Sequence, residues 1–192
     1  MATIASTSAS APDPGPAVRL LIDKFKLQPH PEGGWFTETY RGSEQVVTTA
    51  SGVQRASSTA IYFLICPGNV SRLHRIASDE VWHFYLGAPL TVVEVGSQFG
   101  PLQHHETVLG QDIENGQVVQ YTVKAGTWFG CYPTTYPLAS KSNEEKEIYS
   151  FVGCTVAPGF EFTDFELASQ AALLPEFPQA RDAIVKLTEG LP

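Results

Sequence analysis

Apolar side chains along this chain recur at two different periods, and the change from one to the other divides it into three stretches. Val18, Leu21, Ile22 and Phe25 fall at helical spacing within AVRLLIDKFK (Ala17–Lys26), which predicts one short helix. The LQPHPEGGWF segment that follows holds two prolines and two glycines, which forbid regular structure and predict a shaped loop. From Phe36 to about Thr163 the pattern is short runs rich in aromatic and β-branched residues. These are FTETYRG, TAIYFLI, EVWHFYL, PLTVVEV, VVQYTV, TWFGCY and IYSFVGCTV, each bounded by Gly, Pro, Asn or Asp. Strands spaced this way predict an all-β sandwich or barrel rather than a βαβ sheet. From Glu166 onward helical periodicity returns in FELASQAALL and QARDAIVKLTEG, with Gly190 as the expected stop. No repeat at a solenoid period is present.

Length and composition narrow the picture. The 192 residues suit one domain, expected over 18–192 behind a disordered tail over 1–17. Hydrophobic residues at 43% against 17% charged are those of a chain that buries a core. The net charge of −8, with no basic run longer than two, argues against nucleic acid as a partner. No apolar run approaches the ~18–20 residues of a membrane span, so no membrane partner is expected. The start lacks the basic and apolar regions of a secretory signal, and its first basic residue is Arg19, so a cytoplasmic location is expected. Cys66, Cys131 and Cys154 are odd in number and widely spaced, which points to free thiols rather than a disulfide framework.

Candidate chemistry concentrates in GNVSRLHRIASDEVWHFYLG (Gly68–Gly87). Side chains two apart on a strand share a face, so His74 and position 76 look the same way, and a turn brings Glu80 to them. Gly68, His74, Glu80 and Gly87 match the cupin first motif, G-x5-H-x-H-x3-E-x6-G, with Ile76 in place of its second histidine. The second motif, P-x-G-x2-H-x3-N, has its counterpart in KAGTWFGCYP. Gly126 is in place there, whereas Lys124, Phe129 and Pro133 replace the proline, histidine and asparagine. Two of four metal ligands remain, too few for a tightly held catalytic ion.

The segments HPEGGWFTETYR, TAIYFLI, SRLHRIASDEVWHFYLG, AGTWF and VGCTVAPGFEFTDFEL together resemble the cupin-5 family, within the RmlC-like cupin superfamily. The resemblance covers nearly everything from Leu27 to Leu167. It implies a cupin double-stranded β-barrel (jelly roll) with short N- and C-terminal helices, a site inside the barrel, and pairing as a homodimer. It implies no single reaction.

On this basis His74 and Glu80 are the expected acid–base pair. Tyr62, Arg72, Trp82, Phe84, Phe129, Cys131 and Phe162 are the expected substrate-binding residues. Alternation along the strand puts Glu80, Trp82 and Phe84 on one face and turns His83 away from the pocket. His30 and Glu32 are expected to fix their loop, Cys154 to fill the core, and His104 and His105 to lie at the surface. The expected function is a small-molecule enzyme acting next to a carbonyl: a metal-independent isomerase, epimerase or cyclase with no cofactor. One alternative is a metal-dependent oxygenase or decarboxylase, with His74 and Glu80 holding a weakly bound divalent ion and Tyr62, His83 or Cys131 recruited as a third ligand. Another is a non-catalytic binder of a hydrophobic metabolite.

Overall fold

A computed structural model describes residues 15–48, 52–66, 68–134 and 148–188. Helix α1 (Pro16–Phe25) leads into strands β1 (Gln28–Pro29), β2 (Trp35–Arg41), β3 (Gln45–Val47), β4 (Gln54–Ala56) and β5 (Thr59–Ile65). Then follow β6 (Ser71–Arg75), β7 (Asp79–Gly87), β8 (Leu90–Val95), β9 (His104–Leu109), β10 (Gln120–Val123), β11 (Trp128–Pro133) and β12 (Ser150–Ala157). A two-residue strand β13 (Glu166–Leu167) precedes helices α2 (Gln170–Glu176) and α3 (Arg181–Leu187).

The strands make two sheets and a small hairpin, β3–β4. One sheet runs β1-β2-β5-β12-β7-β10 and the other β13-β6-β11-β8-β9. Neighbouring strands in both are antiparallel. Their inner faces meet in a core that includes Phe63, Trp82, Val92, Phe129 and Val152. This is a jelly roll, as the spacing of the β runs and the resemblance lead one to expect.

Helices cover the outer faces. Pro16 starts α1, where its fixed φ suits the first turn, and the helix lays Val18 and Leu21 on Leu64 and Phe151 behind the first sheet. Behind the second sheet, Leu173, Phe177, Ile184 and Leu187 of the C-terminal segment pack on Leu73, Val93 and Val95. Strand β8 is thereby covered on both sides, and all six of its residues are buried.

Three expectations need comment. The helix expected from Glu166 starts at Gln170, because Glu166 and Leu167 pair with Arg75 and His74 on the open edge of β6. Local helical preference yields there to a ladder that tertiary contact offers. His104 and His105, expected at the surface, are half-buried and exposed on an edge strand, β9. The expected tail over 1–17 lies outside the described residues up to residue 14, and its last two residues belong to α1; Gly190 also lies outside them.

Candidate active site inside the barrel

Alternation along β5 turns Thr59, Ile61 and Phe63 inward and sends Tyr62 outward. With inward residues of β2, β6, β7 and β12, they line a cavity that opens at one end of the barrel. Its walls are apolar, chiefly Phe36, Ile61, Phe63, Ile76, Val156 and Phe160. Its buried end carries Glu32, His74, Glu80 and Cys154.

Strand β6 does not alternate simply. Opposite Phe129 and Cys131 of β11 stand His74 and Ser71, so three steps on β6 match two on β11. This bulge lets Ser71 and His74 reach the same carboxylate, Glu32. Glu32 arrives on the loop before β2, forty residues away in sequence. Gly33 and Gly34 make the approach possible. Their φ values are +114° and +70°, and a Cβ at Gly33 would stand 2.2 Å from the Val70 carbonyl oxygen. The Arg72 N–H then donates to the Glu32 carbonyl (2.9 Å), joining loop and strand.

Hydrogen bonds fix where protons sit. His74 Nδ1 is 2.7 Å from the Arg72 carbonyl oxygen, which only accepts, so Nδ1 carries a hydrogen. His74 Nε2 faces Glu32 Oε2 at 3.3 Å, while the Ser71 hydroxyl donates to Glu32 Oε1 at 2.8 Å. His30 Nδ1 accepts the Glu32 backbone N–H at 3.3 Å, so its neutral ring is protonated at Nε2. Its Nδ1 is also 3.4 Å from Glu32 Oε2.

Burial dominates the titration of the cluster. It holds His30 and His74 below the usual imidazole range, partly opposed by Glu32 and Glu80 respectively. It raises Glu32, against the pull of His30 and the Ser71 hydroxyl. Glu80 is pushed up to about 7 by burial, with His74 opposing, Glu32 adding to the rise and the Cys154 thiol donating to the carboxylate. Two carboxyls and two imidazoles thus share one chamber.

Of the residues singled out from sequence, His74, Glu80 and Phe162 line this cavity. Trp82, Phe129 and Cys131 lie in the packed core instead. The Phe129 ring lies 4.1 Å from that of His74, and Trp82 stands nearly perpendicular to Phe129 at 6.3 Å with its indole N–H unpartnered. Phe84 packs against the same core without lining the cavity. Tyr62 sits on the outer face against Phe25 and Phe151. Arg72 turns to the Pro31 carbonyl (3.2 Å) and does not line the cavity. His83 bonds Thr155 on the outer face. Glu32, His30 and Cys154 stand in the chamber although sequence reasoning gave them loop and core roles, and Glu38, Arg41 and Glu161 at its mouth were assigned no role.

A metal centre built on the cupin motif would draw on positions 74, 76, 80 and 129. Ile76 and Phe129 are apolar, and the Phe129 ring packs on His74. Among the described residues no three His, Cys, Asp or Glu side chains gather as a ligand set. The motif positions alone therefore supply two donors, fewer than a catalytic metal site takes.

The antiparallel jelly roll is an architecture that cupins share with lectin and capsid domains, and here it encloses a polar cluster. The chain belongs to the Cupin_5 family, Cupin superfamily (DUF985), whose profile matches residues 19–168. It is similar to the uncharacterized protein YML079W of Saccharomyces cerevisiae, 29% identical over 163 residues, covering 80% of this chain and 76% of that one. A hypothetical protein from Leishmania major superposes with a TM-score of 0.75 at 33% identity, over 88% of this chain and 97% of that one. Protein SO0799 from Shewanella oneidensis gives a TM-score of 0.71 at 34% identity, over 87% and 94%. Among the described residues no helix is long and apolar enough to cross a membrane.

Proposed function

We propose that this cupin is a small-molecule enzyme that moves a proton at a carbon next to a carbonyl: an isomerase, epimerase or cyclase working without a metal. The observation that carries this reading is Glu80, a buried carboxyl that titrates near 7 beside His74 in an apolar cavity. A group poised near working pH both takes and returns protons efficiently. His74 is oriented by its Nδ1–H on the Arg72 carbonyl, and Glu32 faces its Nε2. In the reaction one member of the pair removes the proton from carbon as the C–H electron pair moves into the enolate. The other protonates the carbonyl oxygen, and return of a proton at a different face or carbon completes the change. Excluding water strengthens each of these interactions.

The test is deuterium exchange in D2O, followed by NMR, with a panel of small ketones, ketoses and amino ketones. Wild type should exchange the hydrogens beside the carbonyl, and His74→Ala or Glu80→Gln should not. Exchange that both variants retain would sink the proposal. A second reading, a receptor for a hydrophobic metabolite, is supported by the packed phenylalanines at the mouth, Phe160, Phe162 and Phe165. It would leave ligand affinity intact in both variants.

Assembly as a homodimer belongs to the same proposal. Strand β1 covers only Trp35 and Phe36 of β2, so the rest of β2 offers an edge to a second copy. A monomeric mass by light scattering at micromolar concentration would count against it.

A further inference from the structure

Arg41 is the one arginine or lysine lining the cavity among the described residues, and it is already engaged. Its Nε and Nη2 grip Glu38 at 3.0 and 2.8 Å, and its Nη1 binds Glu161 Oε1 at 2.6 Å. Nη2 also reaches the Phe160 carbonyl at 3.2 Å, so four of its five N–H donors are in use. Two carboxylates around one guanidinium leave the mouth with a net negative charge. An incoming phosphate or carboxylate would have to compete with the planar fork on Glu38 and with Glu161 for the same guanidinium.

The walls favour the opposite sign. The Phe160 and Phe162 rings stand 5.1 Å apart and nearly perpendicular, and Phe162 is 53% exposed. Aromatic faces are negative and attract a cation placed over them. Deeper in lie Glu32 and Glu80, so a ligand passing the mouth meets acceptors and carboxyls. Burial lowers the pKa of both imidazoles there, which disfavours the charged form that would answer an anion.

We infer that the cavity takes an organic cation, a small amine carried on an apolar body, and turns away phosphorylated and carboxylate compounds. This names a substrate class for the site of the proposed reaction and rests on that reading.

The test is isothermal titration of the full chain with benzylamine, benzyl alcohol, benzoate and phenyl phosphate, which share an apolar body and differ in charge. Benzylamine should bind roughly ten-fold tighter than benzyl alcohol, the scale of a partly desolvated cation over an aromatic face. The two anions should not bind measurably. The double variant Glu38→Gln, Glu161→Gln releases Arg41 and should reverse the order, with benzoate gaining and benzylamine losing affinity. Should that variant fail to fold, as read from its melting curve, Arg41→Gln tests the same point by freeing both carboxylates and tightening benzylamine. Wild type that binds benzoate or phenyl phosphate as tightly as benzylamine overturns the inference, as does benzylamine binding no better than the alcohol. Because titration reads binding and not turnover, exchange activity with the wrong charge preference defeats only this inference. The right preference without exchange defeats only the proposed reaction.

Discussion

Two glutamates lie buried on the inner faces of the same barrel, Glu80 on β7 and Glu94 on β8, at 7% and 4% exposure. Burial raises both above the ordinary carboxyl range. Their partners differ. Glu94 accepts a very short hydrogen bond from the Tyr121 hydroxyl across the two sheets, which offsets part of the rise, and Tyr121 in turn is pushed up to about 12. Glu80 has no hydroxyl donor among the described residues; it meets a thiol, a neighbouring imidazole and the cavity. His74, Phe129 and Glu94 stand side by side in one cross-strand row, so the Phe129 ring divides the two environments. The same side chain at the same depth is a staple where its partner is fixed and, on the proposed function, a proton carrier where it is not.

Substitution at the two carboxyls gives the largest separation. Glu80→Gln or His74→Ala should lower proton exchange by ~10²–10⁴-fold while the melting curve stays cooperative. Glu94→Gln should leave exchange within about two-fold and change the melting temperature little, since the amide oxygen still accepts from the Tyr121 hydroxyl. If Glu94→Gln abolished exchange, the division drawn above would be wrong.

Stability against pH is the next handle. Between about pH 4.5 and 7 an unfolded Glu80 loses its proton while the folded one keeps it. The folded state then binds more protons, so this group's contribution to stability is present at low pH and is lost as pH rises through 7. The shift corresponds to roughly 3 kcal/mol. Urea melts across that range should therefore fall more steeply with pH in wild type than in Glu80→Gln. The exchange rate should bend near pH 7 in wild type alone.

A smaller effect belongs to the staple. Tyr121→Phe leaves Glu94 without its hydroxyl and should destabilise the protein by ~1–3 kcal/mol with exchange unchanged, read from denaturant unfolding and the same NMR assay. The smallest expected effect is none. Incubation with EDTA or 1,10-phenanthroline should leave exchange untouched, and activity lost to a chelator and restored by iron or zinc would replace the proton-transfer reading with a metal one.

The sequence showed the barrel plainly, because strand runs and turn residues agree with each other and with the motif spacing. It also placed His74 and Glu80, since the motif spacing fixes both on strands bracketing one turn. Tyr62 was readable in principle, as alternation from Ile61 and Phe63 sends it outward. Arg72 was not, because it shares parity with His74 and only the bulge in β6 separates them. Glu32 and His30 were hidden for another reason. A loop without periodicity carries no signal of where it docks, and theirs docks on a strand forty residues later. The mouth residues escaped because Glu38, Arg41 and Glu161 come together only when β2 meets the exit from β12.

The loop that carries Glu32 has a second consequence, for solubility. Strand β6 lies near the margin of its sheet, where β13 covers it with only two residues. Ala168 extends that cover by donating to the Leu73 carbonyl, and the Glu32 carbonyl takes the Arg72 N–H. Two pieces of chain from opposite ends thus blunt an edge that would otherwise template pairing with a stranger. Loosening the loop would uncover backbone as well as remove a carboxylate, so chains damaged there should be lost to aggregation as readily as to inactivity.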